Sequence, residues 1–516
     1  MEVSLMRNRE RRVLVIGLDC AEPSLVFHRW REDLPNLSRL MSKGAYGLLK
    51  SCHPPITVPA WTSMLASRDP GQLGFYGFRN RADYSYDQMW IANSTAVQAP
   101  RVWDVLSHAG RVCILVGVPQ TYPVPSLNGY VISDFLTPPN PRQWTYPESL
   151  ADEVTALLGG EPYEFDVAEF RTNDKERLLE SIYRTTRKRW RVIHYLLERK
   201  PWDFFMFVEM GTDRIHHGFW GFMDPQHYRY TPGNPFEQAI HDYYVYLDDE
   251  IGKLLQQVGD ETIVMVVSDH GAQRMDGGFC VNEWLRRKGY LTLHEEPKGI
   301  VPLEKCQVDW SQTKAWGSGG YYARVFLNVQ GREPQGVIPA SEYETERDRL
   351  KAELEAILGP DGHPLGTIAL KPSDIYREVN GIAPDLIVYF GGLYWRSVGT
   401  LGHEDIYTFE NDTGPDDANH AQYGLVILYD PLSPMNGKEL TGLQLECIGP
   451  TLLRWLDVEV PTSMMGKPIS LDMDTLGGSI RRRNEEVAPE EVPTSPGYTP
   501  EEEAAISEHL AALGYL

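Results

Sequence analysis

Polar side chains that follow short apolar runs are the first places to look for chemistry in this 516-residue chain. Asp19 closes "VLVIGL", and Asp269 and His270 close "TIVMVVS". Asp213 comes shortly after "FFMFVEM" with His217 four residues on, and His420 comes just before "YGLVILYDP". A seventh group, Thr57, sits in "KSCHPPITVPAWTSMLASRDPG", between Pro54, Pro55 and Pro59 and a helix-like stretch. Taken singly, each has an ordinary reading. An Asp after a strand caps the next helix, and Thr57 could be a plain N-cap. Asp213 and His217 could be a surface i,i+4 pair, "SDHG" a turn and His420 a structural histidine. Taken together they are three carboxylates, three imidazoles and a hydroxyl. Such donors, without cysteine, suit zinc or manganese rather than an iron–sulfur centre, and six ligands plus an oxygen nucleophile would fill two adjacent sites.

The elements that must position these groups alternate. "RRVLVIGLDC", "RVCILVGVP", "WDFFMFVEM", "ETIVMVVSDHG", "PDLIVYF" and "YGLVILYDP" are too short for helices and apolar on both faces, as buried strands are. Between them lie helical patterns. One opens at Asn173 as N-cap and carries Leu179, Ile182, Ile193, Leu196 and Leu197 at helical spacing. Another starts near Pro235, carries Ile240, Tyr244, Leu247, Ile251 and Leu254, and stops at Gly259. The alternation predicts an α/β fold with a doubly wound, mainly parallel central sheet flanked by helices. In such a sheet ligands collect beyond the carboxyl ends of the strands, and the three carboxylates and Thr57 lie at or near such loops. The catalytic domain is expected over residues 10–475, with insertions at about 136–172 and 295–380, the second forming a smaller cap. A linker over 476–498 and a C-terminal helix over 499–516 follow. In that helix Thr499 caps, Pro500 starts and Gly514 stops, and Ile506, Leu510 and Leu513 give one apolar face.

Bulk properties narrow the class. Composition is globular, 42% hydrophobic and 23% charged. A net charge of −23 argues against a nucleic-acid polymer or an anionic membrane as partner. Six scattered cysteines without a CxxC pair speak against a disulfide framework and for a reducing compartment. No signal peptide and no run of about 20 apolar residues is present, so a cytoplasmic location is expected.

The motifs "GLD", "T-x-P", "D-x-x-x-H", "SDHG" and a late "H-x-x-x-G" occur in the order and spacing of a known family. The chain resembles the type I phosphodiesterase/nucleotide pyrophosphatase family of the alkaline phosphatase superfamily from about residue 12 to 470. The resemblance implies an alkaline phosphatase-like fold and a phosphoric ester hydrolase with two divalent ions, zinc or manganese. One would be held by Asp19, Thr57, Asp269 and His270, the other by Asp213, His217 and His420. The family spacing selects His217 over His216. His403 competes with His420, but the glycine and strand after His420 match the family pattern, which leaves His403 to touch substrate. Thr57 becomes the nucleophile, because a cation removes its proton while a partner cation about 4 Å away holds a phosphoryl oxygen. At a helix N-terminus it also gains backbone donors for phosphate. The implied substrate is a small phosphate ester or nucleotide-like molecule, hydrolysed through a phosphothreonine.

One departure stands out. Where the family has an asparagine after the nucleophile helix, this chain has Phe78, with Arg79 and Asn80 beside it out of register. All three are candidates for the substrate side. Rival readings remain. A sulfatase needs an arginine where Ile56 stands, and a cofactor-independent phosphoglycerate mutase would carry serine and a large inserted domain. A phosphonate or phosphomonoester hydrolase fits the same metals, and so does an inactive metal- or phosphate-binding protein. Asp412, Asp416 and Asp417 read as a solvated acidic loop or a structural cation site.

Overall fold

The computed structural model describes residues 11–469, 482–483 and 497–512. Its central sheet has nine strands among these residues. In chain order they are β1 (Val13–Leu18), β2 (Ala45–Lys50), β3 (Cys113–Val116), β4 (Gly129–Ile132), β5 (Thr145–Tyr146), β6 (Phe204–Glu209), β7 (Ile263–Val267), β8 (Tyr423–Tyr429) and β9 (Lys438–Gln444). They lie side by side as β9-β2-β8-β7-β1-β6-β3-β4-β5. β1, β3, β6 and β7 are buried along their whole length, which is why they read as unbroken apolar runs rather than as alternating ones. Only β5 and β8 run against the rest.

Helices cover the sheet. We number four of them: α1 (Thr57–Ala66), α2 (Lys175–Arg199), α3 (Gly211–Met223) and α4 (Ala239–Val258). α2 is capped one residue later than the sequence suggests, by Asp174, whose carboxylate accepts from Arg177 N at 3.2 Å. α4 starts after Pro235, buries the expected stripe and ends at Gly259, whose φ of 80° is open to glycine. α1 is buried at every position, so its neighbours hold it on all sides.

"PDLIVYF" departs from the expected sheet. Leu386–Tyr389 joins Ala315–Ser318, Ala323–Leu327 and Ile368–Leu370 in a separate, wholly antiparallel sheet. This sheet has its own apolar core, which reaches from Phe279 to Leu401 and is therefore broader than the 295–380 insertion. The stretch 136–172 holds strand β5 and the helix Leu150–Leu157, and it buries Tyr163, Val167 and Phe170 against the main core. The C-terminal helix Pro500–Ala512 begins with a reciprocal cap: Thr499 Oγ1 accepts from Glu502 N, and Glu502 Oε2 accepts from Thr499 N. Ile506 and Leu510 are fully buried, whereas Leu513 and Gly514 fall outside the described residues, as does most of the 476–498 linker. No helix among the described residues is long and apolar enough to cross a membrane.

Candidate metal centre

Strand register brings the first acids together. Leu18 pairs with Glu209 and Gly17 with Val267, so β1, β6 and β7 end at the same level. Asp19, the first turn of α3 and Asp269 leave the sheet there side by side. A ribbon then delivers the last histidine. Gly271–Arg274 pairs antiparallel with Ala418–Ala421, setting His420 opposite Ala272 and stacking its ring 3.9 Å from that of His270.

Two groups of ligand atoms result. Asp19, Asp269 and His270 form one, and Asp213, His217 and His420 form the other. Within each, the ligand atoms lie within 4.8 Å of one another. His270 Nε2 is 3.3 Å from Asp269 Oδ2 and 3.9 Å from Asp19 Oδ1. Asp213 Oδ1 is 3.2 Å from His217 Nε2 and 3.7 Å from His420 Nε2. The structure thus brings together the six side chains that the motifs single out, in the two sets that the resemblance implies.

Thr57 is flanked by a contact to each group. One turn further along α1, Trp61 Nε1 donates to Asp19 Oδ2 at 2.6 Å. Two residues before Thr57, the Pro55 carbonyl accepts from His420 Nδ1 at 2.9 Å. Trp61 reaches Asp19 because Gly17 leaves room: a Cβ there would come within 2.8 Å of the indole. The plain N-cap reading of Thr57 does not hold. Ile56 is the capping residue, and Thr57 Oγ1 is buried without a hydrogen-bond partner.

Every ligand is tied at its outer end. Cys20 N donates to Asp269 Oδ1, Arg214 to Asp213 Oδ2, and His270 Nδ1 to the Gly271 carbonyl. His217 Nδ1 donates to Asp416 Oδ1 at 2.8 Å. Each histidine thus turns Nε2 toward the centre. The inner atoms are another matter. Asp19 Oδ1, Asp213 Oδ1, Asp269 Oδ2, His217 Nε2, His270 Nε2 and Thr57 Oγ1 are buried and make no hydrogen bond. Glu209, at the end of β6, marks the contrast. It is equally buried but satisfied, accepting from Arg189, Trp190 and Gly211 N.

Without a cation, these groups hold protons that a bound cation would displace. Burial, with Asp213 nearby, pushes the Asp19 carboxyl well above the usual range, and burial with Asp19 does so for Asp269. Burial would also raise Asp213, but His217 and Arg214 outweigh it and hold it well below. Burial would lower His217, but Asp416 and Asp213 push it up to about 9. Bare carboxylates, imidazole lone pairs and a hydroxyl converging in a dry space fit divalent cations.

Sequence reasoning missed several residues. Cys20 joins the second group, its sulfur within 4.8 Å of the ligand atoms of Asp213, His217 and His420, so the centre is not cysteine-free. Its φ of 61° is rare for a residue with a side chain, and its thiol donates to the Gly271 carbonyl at 3.4 Å. Asp416 and Asp417 are not a solvated loop. Both are buried, with Asp416 committed to His217 and Arg171 and Asp417 to Arg229. Asp166 grips Arg214 with both oxygens, at 2.9 and 2.6 Å. Nothing in the local pattern marks Asp166 or Asp416, since their partners are far away in sequence.

The candidates for the substrate side scatter. Phe78 is core, edge-on to Phe135 at 6.0 Å. Asn80 has its amide taken up by Tyr76 N at 2.7 Å and the Gly77 carbonyl at 3.0 Å. His403 bonds Thr400, and His216 turns to Tyr244. Arg79 alone lines an open cleft.

The chain belongs to the type I phosphodiesterase / nucleotide pyrophosphatase family, whose profile it matches over residues 13–416. The fold is similar to human ectonucleotide pyrophosphatase/phosphodiesterase 5, with a TM-score of 0.51 at 13% identity over 89% of this chain and 97% of that one. The murine protein of that name, solved in complex with AMP, gives 0.51 at 11%, over 89% and 98%. Phosphonoacetate hydrolase from Sinorhizobium meliloti 1021, solved with phosphonoformate, gives 0.53 at 16%, over 87% and 96%. No curated protein matches the chain.

Proposed function

We infer that the chain is a metal-dependent phosphoric ester hydrolase, cleaving a diester, a pyrophosphate or a related ester through a phosphothreonine at Thr57. The carrying observation is the pattern of tied outer atoms and bare inner atoms around Thr57. Asp19, Asp269, His270 and Thr57 would hold one cation, and Asp213, His217 and His420 the other. Bound there, divalent cations supply positive charge that acidifies the Thr57 hydroxyl and neutralises phosphoryl oxygens. Thr57 Oγ1 attacks phosphorus in line, its proton released to water, and the opposite ester oxygen leaves with the bonding pair and takes up a proton from water, departing as alcohol or phosphate. Water then hydrolyses the phosphothreonine and restores the hydroxyl. Amides of the first turn of α1, which have no carbonyl partner within the helix, face the incoming phosphoryl group. Trp61 and the Pro55 carbonyl keep the helix in register with both ligand groups. The AMP and phosphonoformate held by the similar structures support a small phosphoryl or phosphonyl substrate.

Turnover of bis-p-nitrophenyl phosphate, p-nitrophenyl phosphate, p-nitrophenyl sulfate and phosphonoacetate by the zinc- or manganese-loaded chain tests this. Diester cleavage abolished by chelator and by Thr57→Ala is expected. Turnover that survives either treatment sinks the mechanism, and a preference for phosphonate or sulfate reassigns the substrate.

A further inference from the structure

Beyond Tyr321 lies a cleft of about 560 Å³. Ser318, Gly319 and Gly320 line it and run directly into Tyr321. The Tyr321 ring stacks 4.4 Å from His420, and its hydroxyl is 3.3 Å from His217 Nδ1. On the cleft side, the Arg396 guanidinium carbon lies 5.9 Å from the same ring. Tyr321 therefore stands between residues that line the cleft and the histidines of the centre.

The cleft is basic inside. Arg79, Arg81, Arg324 and Arg396 line it. Arg81 pairs with Glu333 at 3.2 Å and Arg396 with Asp412 at 3.7 Å. Arg324 is 5% exposed, and its hydrogen-bond partners are neutral: the Arg79 carbonyl, and Ser318 Oγ at 2.8 Å. Arg396 is 2% exposed, with Asp412 no nearer than 3.7 Å and its Nε without a hydrogen bond. Arg79 makes no ion pair among the described residues. Burial draws both Arg324 and Arg396 below the usual arginine range. A guanidinium buried with neutral partners alone, as that of Arg324 is, is costly unless an anion joins it. Of the lining acids, Asp87 and Glu304 are exposed and Asp412 lies against Arg396, so none of them pairs with Arg79 or Arg324. The remaining wall is flat and apolar: Tyr86 stacks on Trp310 at 3.7 Å, with Trp316 edge-on at 5.4 Å.

The geometry points to this cleft as the seat of the substrate's non-reacting part, an elongated or planar body that carries a second oxyanion, phosphate or carboxylate, for Arg79, Arg324 and Arg396. The inference rests on the reading of the metal centre as the reacting end. The preferred substrate is thus doubly anionic, with charges at both ends.

Titration calorimetry of the zinc-loaded full chain tests it with hexyl phosphate, hexanediol bisphosphate and phosphorylated hydroxyhexanoate. At least one two-headed ligand should bind roughly tenfold or more tighter than hexyl phosphate, the scale of a charge-assisted pair. Whichever of the two gains more names the second head as phosphate or carboxylate. Arg324→Met should bring the ratio close to one, and Arg324→Lys should restore part of it. Arg79→Met, on the partly buried hairpin, repeats the test if Arg324→Met does not fold. Equal affinities in the unaltered chain, or a ratio indifferent to both methionine variants, overturn the inference. A chelator arm keeps the readings apart. Hexyl phosphate affinity that ignores metal removal strikes the proposed function, whereas the ratio strikes only the cleft.

Discussion

Asp416 Oδ1 accepts the Nδ1 proton of His217 at 2.8 Å, across 199 residues of chain, and so fixes which nitrogen of that ring faces the centre. Burial would raise the Asp416 carboxyl, but Arg171 and His217 hold it well below the usual range, so it stays an acceptor. Asp416→Asn keeps the shape and an oxygen but removes the charge. Affinity for one of two zinc ions should fall about 10- to 100-fold, the usual effect of losing an outer partner of a ligating histidine. Competition with a calibrated chelator measures it, and an unchanged pair of affinities would show that Asp416 has no hold on the metal.

Asp19→Asn should have opposite effects with and without metal. In the stripped chain, burial and Asp213 disfavour the charged carboxylate, and asparagine can still accept from Trp61. The variant should therefore be more stable than the parent in chelator, by about 1–3 kcal/mol. With zinc added the order should reverse, because the parent alone gains full binding energy. Melting curves in both conditions decide. A variant less stable in chelator as well would mean that Asp19 is not strained by its neighbours.

Cys20 makes a spectroscopic prediction. Cobalt loaded into the second group should show a sulfur-to-cobalt charge-transfer band in the near ultraviolet. Cys20→Gly should abolish that band without unfolding the chain, since glycine accepts the positive φ at this position. A sulfur donor also tilts selectivity from manganese toward zinc. If the band is absent from the parent, the thiol remains with the Gly271 carbonyl and is not a ligand.

His227 makes the fold sensitive to acid. It is 3% exposed, and burial, helped by Arg229, lowers it to about 4. Below pH 6.5 the unfolded histidine takes up a proton that the folded one refuses, so stability falls as pH drops. The slope is up to about 1.4 kcal/mol per pH unit until the folded value is reached. His227→Asn leaves an acceptor for Arg229 N and should flatten stability between pH 6.5 and 4. Denaturant midpoints across that range provide the test, with identical slopes for parent and variant as the adverse result.

Much of this was legible in the sequence, for identifiable reasons. β1, β6 and β7 are buried on both faces and end on polar residues, so apolar runs announced both the sheet and the acids beyond it. His270 follows β7 closely, whereas His217 and His420 could be picked over His216 and His403 only through the family resemblance. Strand β2 was missed because it alternates, with Leu48 exposed between Gly47 and Leu49. The outer partners escaped because their meaning lies in distant pairings: Asp166 with Arg214, Asp416 with His217. Cys20 was set aside as one scattered thiol, since nothing local shows that its backbone turns the sulfur inward. The loop after α1 misled for a similar reason, because Asn80 serves its own turn rather than a ligand.

The position of β8 has a consequence for assembly. This strand slots between β2 and β7, so the ligand just before it reaches its place only when the sheet gains its late member. Asp19, Asp269 and His270 come from β1 and β7, which are neighbours already. A nascent or truncated chain that stops short of β8 could close one half of the centre but not the other. A cation bound by Asp213, His217 and His420 would therefore report that β8 is in place, whereas one bound by Asp19, Asp269 and His270 would not.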